Sequence, residues 1–134
     1  MAYWLAKTEP STFSWQDLVA RKQDVWDGVR NHQAANYLAA MKPGDQVMIY
    51  HSGRERAIVG VAEVVSDPYP DPTAADDRWL TVDMAACHAL PLPVSLKTIK
   101  DDERFSQWAL VRQSRLSVMP VPDDLWEAIL AMES

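Results

Sequence analysis

Hydrophobic and polar positions follow two different periods along this chain of 134 residues. Continuous or alternating apolar runs are typical of β-strands. They predict strands at residues 3–7, 46–50, 57–65, 79–84 and 114–121, and extended segments or short strands at 23–26 and 90–94. Because residues 90–94 include two prolines, which cannot donate to a ladder, that segment is expected at the edge of a sheet.

Apolar residues at helical spacing predict helices between these strands. Ser14 and Asp17 form a capping-box pattern ahead of a helix at residues 15–21, and Asn31 is a suitable N-cap for the next one. Further helices are predicted at 95–101, at 105–111 and after Pro122. The buried stripes of the second and last helices are expected to be Ala34, Ala35, Leu38, Met41 and Leu125, Trp126, Ile129, Leu130.

Two departures from these periods carry structural information. Three prolines at alternate positions in residues 67–73 predict a stiff, extended loop without regular structure. Gly60, inside the strongest strand pattern, predicts a bulge or a close approach of another group. Short strands with helices interspersed, but without regular alternation, predict an α+β fold around a small, strongly curved sheet or barrel. We expect one domain spanning residues 1–134.

The charge of the chain is uneven. The formal net charge is −6, but residues 1–60 hold seven Lys or Arg and six Asp or Glu, so the excess of acid lies in residues 61–134. A net negative charge disfavours a protein that binds nucleic acid through bulk charge alone. A local basic face near Lys7, Arg30, Arg54 and Arg56 is still compatible with this distribution.

Other features narrow the class of protein. With one cysteine, Cys87, the chain forms no internal disulfide, and it shows neither a signal-peptide pattern nor an apolar run of membrane-spanning length. We therefore expect a cytoplasmic protein without a membrane partner, and we also expect a monomer. Three His and one Cys lack metal-ligand spacing, and four Gly are too few for a phosphate-binding loop. We expect neither metal nor cofactor.

The candidate chemistry lies in residues 25–52. Trp26 precedes a turn at Gly28 and is either a core residue or a wall on which a flat ligand stacks. Arg30 and Asn31 open a helix, where capping and polar recognition are both open. His51 and Ser52 end a strand but point to opposite faces, so they do not form a base–nucleophile pair without a bend. Hydrogen bonding to a ligand is favoured over catalysis.

Five segments resemble, in order, the motifs of the EVE-domain family: YWLAKTEP at 3–10, WDGVRN at 26–31, MKPGD at 41–45, YHS at 50–52 and RLSV at 115–118. The resemblance covers nearly the whole chain. It implies a PUA-like fold, a curved pseudo-barrel of mixed strands surrounded by short helices, related to ASCH, PUA and YTH domains. It also implies recognition of a modified base, modified cytosine in DNA included, which is flipped into an aromatic-walled pocket.

The resemblance also implies roles for individual residues. The base pocket is expected to comprise Trp26 as stacking wall, Arg30 and Asn31 at its polar rim, and Tyr50, His51 and Ser52 as hydrogen-bonding lining, with Val29 as a further pocket residue. The rim is expected to include Lys7, Glu9, Arg115 and Ser117, with the loop that contains Asp71 covering the mouth. The expected partner is DNA or RNA that carries a modified base.

Two alternatives stay open. One is a small hydrolase that acts on a modified nucleoside, with His51 and either Lys7 or Glu9 as acid and base in the same pocket. The other is a protein-interaction domain, in which the chain's own side chains would fill the pocket.

Overall fold

A computed structural model describes residues 1–132. Its centre is a six-stranded mixed sheet in the order β2-β7-β4-β3-β1-β8, and a separate pair, β5-β6, flanks it. Strands β1 and β3 are parallel and the other pairs are antiparallel. The strands are β1 (Tyr3–Thr8), β2 (Gln23–Val25), β3 (Gln46–His51), β4 (Ala57–Val64), β5 (Tyr69–Pro70), β6 (Leu80–Thr81), β7 (Asp83–Ser95) and β8 (Val118–Pro120).

Short helices surround this sheet. They are α1 (Trp15–Arg21), α2 (His32–Ala40), α3 (Leu96–Lys100), α4 (Ala109–Arg112) and α5 (Asp123–Met132), with one 3₁₀ turn at Glu103–Phe105. The α+β class and the curved mixed sheet predicted from the sequence are confirmed. Within residues 1–132 no helix has the length and apolar character needed to cross a membrane.

The predicted helix starts are confirmed by their caps. The Ser14 hydroxyl accepts the Asp17 N–H while the Asp17 carboxylate accepts the Ser14 N–H, which completes the capping box. Asn31 Oδ1 accepts the Ala34 N–H at 2.9 Å and opens α2. This cap fixes where the loop before α2 ends, and that loop forms part of the candidate site.

The region between residues 67 and 95 differs from the prediction. Tyr69–Pro70 pairs with Leu80–Thr81, so the proline-rich segment is not wholly irregular, and the strand predicted at 79–84 is split between β6 and β7. The Tyr69 hydroxyl donates to the Asp83 carboxylate at 2.5 Å and fixes this junction. Residues 90–94 form no separate strand but belong to the 13-residue β7.

Two predictions near the C-terminal end were too long. The helix predicted at 105–111 begins only at Ala109, directly after Trp108, whose Nε1–H donates to the Pro120 carbonyl. The strand predicted at 114–121 is reduced to β8, because the Leu116 N–H turns back to the Gln113 carbonyl. Residues 113–117 are therefore a loop, and this loop borders the candidate site.

Gly60 meets both expectations raised by the sequence. The pairing of β4 shifts register beside it, and a Cβ placed at Gly60 would lie 2.6 Å from ring atoms of the buried Trp15. Helix α1 therefore packs on β4 through contact between an indole ring and a bare backbone. This contact determines how closely α1 and the loop before it pack against the sheet.

We predict that Gly60→Ala lowers the free energy of unfolding by about 1–3 kcal/mol, because the added methyl overpacks a dense interior. Urea denaturation measures the change. In a Trp15→Leu background, where the ring is gone, the same substitution is expected to cost much less. Equal costs in both backgrounds would contradict the proposed contact.

A second prediction concerns Asp45, a buried carboxylate at the start of β3. Burial alone would raise its pKa, but N–H groups of Ala2, Trp4 and Lys42 donate to it at 3.0 Å and hold its pKa below the ordinary value. Since the folded state favours the charged form, its contribution is complete above the ordinary pKa of 3.8 and is lost as the pH falls.

We therefore expect Asp45→Asn to destabilise the protein by about 1.5–3 kcal/mol at pH 7, the value of hydrogen bonds to a charged group. The difference from the unmodified protein should shrink on moving from pH 6 to pH 3, as followed by urea unfolding at each pH. A difference that stays constant over this range would show that the charge of Asp45 contributes nothing.

Candidate nucleic-acid interface

A cavity of about 640 Å³ opens beside the C-terminal end of β1. We call it the main cavity. Three chain segments converge on it: the end of β1 with the loop that follows, the end of β2, and the loop that leads into α2. Its lining residues are Lys7, Thr8, Glu9, Thr12, Phe13, Arg21, Asp24, Val25, Trp26, Asp27, Gly28, Val29, Arg30, Asn31 and Ser117.

The structure brings together seven of the residues expected at the site. From the expected pocket these are Trp26, Val29, Arg30 and Asn31, and from the expected rim they are Lys7, Glu9 and Ser117. The residues lie far apart in sequence but meet because β1 and β2 end on the same side of the fold. The other five expected residues lie elsewhere.

The aromatic part of the cavity has two rings rather than one. Trp26 is only 6% exposed, so most of its indole belongs to the core and only a small part of it reaches the cavity. The half-buried ring of Phe13 meets it edge-on, with centroids 6.1 Å apart, and the Arg21 guanidinium lies 5.2 Å from the Phe13 centroid. Trp26 thus forms a floor, and Phe13 offers the more accessible ring.

Asp71 fixes the loop that carries Arg30. Its buried carboxylate accepts the Gly28 N–H at 2.9 Å, Arg30 Nη1 at 3.0 Å and both donors of Thr73. Burial alone would raise the pKa of Asp71, but these hydrogen bonds lower it to about 2. Asp71 therefore lies behind the cavity wall, and the structure does not place it over the mouth as the resemblance implied.

A second contact holds the same loop. The Arg30 guanidinium lies 5.6 Å from the ring centroid of Trp79, and Trp79 stacks on His32 with centroids 4.9 Å apart. The first residue of α2 is thereby connected to the segment that follows the proline-rich loop. Arg30 keeps a fixed position, yet its side chain is still 37% exposed and can contact a ligand.

Tyr50 and Ser52 line a second cavity of about 330 Å³ instead of the main one. Lys7 lines both cavities and lies between them, with its Nζ 5.6 Å from the Tyr50 ring centroid and 3.0 Å from the Ser114 carbonyl. Burial lowers the pKa of Lys7 and raises the pKa of Tyr50. The parallel pairing of β1 and β3 sets Lys7 opposite Tyr50 and so produces this division.

His51 is placed in the interior and lines neither cavity. It is 3% exposed, its Nε2 accepts the Trp15 N–H at 2.9 Å, and its Nδ1 lies 2.8 Å from a Glu55 carboxylate oxygen. Because Nε2 accepts, Nδ1 carries the proton and donates to Glu55. The expected ligand-binding role is therefore replaced by a structural one, a brace between β3 and the start of α1.

Arg115 lines a third cavity, of about 310 Å³, together with Arg112 and Ser114. Asn31 belongs to this cavity as well as to the main one. The third cavity is therefore a continuation of the main one along the loop at residues 113–117. Sequence reasoning placed Arg115 at the rim of a single pocket, whereas the structure places it in an adjoining one.

Phe13, Asp24 and Asp27 of the main cavity were missed by sequence reasoning, whereas Glu9 was expected at the rim. Phe13 directly precedes the N-cap Ser14, a position that predicts packing against the helix and not contact with a ligand. Asp24 pairs with Arg21, while among residues 1–132 no hydrogen bond or ion pair engages the Asp27 carboxylate. No local sequence pattern distinguishes a carboxylate that lines a cavity, such as that of Asp27, from one that is simply solvated.

A larger groove, about 860 Å³, lies on another face between α1 and β7. Its lining is mainly small and apolar, and none of the expected site residues belongs to it. The main cavity is the better candidate because it combines aromatic rings with convergent polar groups, which fix the orientation of a ligand and provide specificity. Within residues 1–132, no three His, Cys, Asp or Glu side chains are grouped as metal ligands.

A curved mixed sheet, short surrounding helices and a polar cavity with an aromatic floor define a domain of the PUA-like class. Within this class the chain belongs to the EVE domain family, whose family model matches residues 2–132.

Known proteins resemble the chain over nearly its whole length. Thymocyte nuclear protein 1 of Rattus norvegicus is 32% identical over an alignment that covers 98% of this chain and 73% of the relative. A structure from Rhodopseudomonas palustris is 42% identical, with a TM-score of 0.94, and covers 99% of this chain and 93% of its own. The human THYN1 protein, crystallised with DNA that contains 5-methylcytosine, is 28% identical, with a TM-score of 0.92 and coverage of 100% and 98%.

We predict that Asp71→Asn lowers the free energy of unfolding by about 1.5–3 kcal/mol at pH 7, because charge-assisted bonds from Arg30 and Gly28 are weakened. The pKa of about 2 means that this contribution is complete above the ordinary pKa of 3.8 and is lost as the pH falls toward 2. Thermal unfolding at pH 7 and at pH 3 measures both effects.

Asp77→Asn is the matched control for Asp71→Asn. It removes an exposed carboxylate from the same loop and is expected to change stability by less than about 0.5 kcal/mol. Equal effects of the two substitutions would mean that Asp71 does not anchor the loop.

Proposed function

We propose that this protein is a non-catalytic DNA-binding module that recognises a modified cytosine in the main cavity. The observation that carries the proposal is the convergence, in 640 Å³, of two aromatic rings with cations and carboxylates. A cytosine base needs all three, since it has a flat face, acceptors at O2 and N3, and a donor amine at N4. The complex of the human THYN1 protein with 5-methylcytosine-containing DNA supports the choice of ligand.

The polar groups fit the edge of cytosine. Carboxylates accept hydrogen bonds from the N4 amine of cytosine, and the Asp27 carboxylate is free of hydrogen-bond and ion-pair partners among residues 1–132. Lys7 has further donor capacity, since the structure gives its Nζ one carbonyl acceptor. We assign Asp27 to the N4 amine and Lys7 to the acceptor edge of the base.

The apolar groups fit the modification. Phe13, Val25 and Val29 line the same cavity, so a methyl group at C5 finds an apolar surface once the base has left the helix. One methyl or methylene in a hydrophobic pocket is worth about 1–3 kcal/mol. This range is enough to separate 5-methylcytosine from cytosine without any reaction.

The two alternatives lack a comparable observation. The hydrolase depended on His51, whose ring nitrogens are both engaged by the chain and which does not line the main cavity. The protein-interaction alternative required a pocket filled by the chain's own side chains, whereas the main cavity is open. RNA with a modified base offers similar chemistry and is included in the test. Residues of one chain suffice to form the cavity, and we propose the monomer as the binding unit.

The test is equilibrium binding at low salt to matched oligonucleotides that contain cytosine, 5-methylcytosine or 5-hydroxymethylcytosine, with a modified RNA set beside them. We expect at least a tenfold preference for one modified DNA base, equivalent to about 1.4 kcal/mol. Phe13→Ala is expected to weaken that binding at least about fivefold, because base–aromatic stacking contributes about 1–3 kcal/mol.

Val19→Ala is the matched control, since Val19 is 51% exposed and lines the groove on the other face. It should bind as the unmodified protein does. The proposal fails if all oligonucleotides bind equally, or if Phe13→Ala retains the full preference while remaining folded by circular dichroism.

A further inference from the structure

The three cavities around the candidate site are parts of one continuous surface. Lys7 is shared by the main cavity and the 330 Å³ cavity, and Asn31 is shared by the main cavity and the 310 Å³ cavity. Ser114 is shared by the two smaller ones. The loop at residues 113–117 therefore lies where all three meet, beside the opening of the main cavity.

Besides Lys7, this surface carries four cations without acidic partners. Arg56 and Lys100 line the 330 Å³ cavity, and Arg112 and Arg115 line the 310 Å³ cavity. Among residues 1–132, no carboxylate oxygen lies within 4 Å of their charged nitrogens. We call these four residues the basic strip. Elsewhere Arg78, Lys97 and Arg104 are each paired with an acid two to four residues away.

The contrast matters because the chain as a whole has a net charge of −6. Five of the thirteen Lys and Arg side chains have a carboxylate partner among residues 1–132, whereas the four of the basic strip have none and share one surface. Like charges gathered on one surface repel each other and favour binding of an anion. The loop between them is also held in place, since Lys7 Nζ donates to the Ser114 carbonyl and the Lys7 N–H donates to the Ser117 carbonyl.

We infer that the basic strip binds the sugar–phosphate backbone of the DNA strand on both sides of the nucleotide in the main cavity. Arg56 and Lys100 contact the backbone on one side of that nucleotide, and Arg112 and Arg115 contact it on the other. This inference rests on the proposed function, because it takes the main cavity as the place of the base. Guanidinium groups suit it, since their paired N–H donors match phosphate oxygens.

The role of the basic strip is separate from base recognition. Phosphate contacts fix the position of the strand and add affinity, but they carry no base preference. Removing one of them should weaken binding to modified and unmodified DNA by the same factor. It should also lower the salt dependence, since each neutralised phosphate contributes about 0.7–0.9 to the slope of log K against log salt.

The experiment is fluorescence anisotropy of the full chain with 5-methylcytosine and unmodified oligonucleotides across a series of NaCl concentrations. Arg56→Gln, Lys100→Gln, Arg112→Gln and Arg115→Gln are measured singly, and Arg56→Gln is also combined with Arg115→Gln. Each single variant is expected to lower the slope by about 0.7–0.9, and the pair by about twice that amount. The ratio of the two dissociation constants should stay unchanged.

Lys42→Gln is the matched control. Lys42 is an exposed cation without a carboxylate partner among residues 1–132, and it lies just before β3, at the opposite end of that strand from Tyr50. The same unit of charge is removed, but far from the three cavities. We expect its slope and its dissociation constants to equal those of the unmodified protein.

The outcomes separate this inference from the proposed function. The basic strip alone is overturned if the protein prefers one base but the four variants leave the slope of log K against log salt unchanged. The same conclusion follows if Lys42→Gln lowers that slope as much as they do. Salt-sensitive binding that the four variants weaken, but without any base preference, supports the basic strip and overturns base recognition. Absence of binding to every oligonucleotide overturns both.

Discussion

A single buried carboxylate, Asp71, holds the candidate site together. Gly28, Arg30 and Thr73 all donate to it, so the loop before α2 and the proline-rich segment become one rigid wall. A buried charge is tolerated only when it is paired and hydrogen-bonded, and Asp71 meets this condition only if Arg30 stays in place. The ion pair thus positions a cation at the cavity and fixes the backbone beside it at the same time.

Two further contacts, made by His51 and Gly60, position helix α1 at the other side of the main cavity. His51 links β3 to the first residue of α1, and Gly60 allows the Trp15 ring to rest on β4. Both contacts determine where α1 lies, and the preceding residue pair, Thr12 and Phe13, lines the cavity. His51, which the sequence suggested as a ligand-binding residue, therefore helps to position Phe13, which the sequence did not suggest as one.

Local chemistry explains which parts of the structure were predictable from sequence. The caps at Ser14 and Asn31 and the contact at Gly60 depend on near neighbours or on backbone freedom, and they are confirmed. The missed features depend on long-range pairing. The alternation of apolar and polar residues along one segment does not reveal that Tyr69 donates a hydrogen bond to Asp83. Nor does it reveal that Tyr50 lies opposite Lys7 in the parallel pair of β1 and β3. The single pocket expected from the sequence is therefore three connected cavities in the structure.

The charge distribution reconciles an acidic protein with a polyanionic ligand. The acidic excess lies in residues 61–134, and several of those acids are bound by adjacent cations, as in the Lys97–Asp101 and Arg104–Asp102 pairs. The four cations of the basic strip, beside the main cavity, have no carboxylate partners among residues 1–132, so positive charge gathers on that surface although the total charge is negative. Repulsion from the acidic remainder then restricts where a DNA strand can approach. Net charge consequently limits non-specific affinity, while the local arrangement still permits binding at one surface.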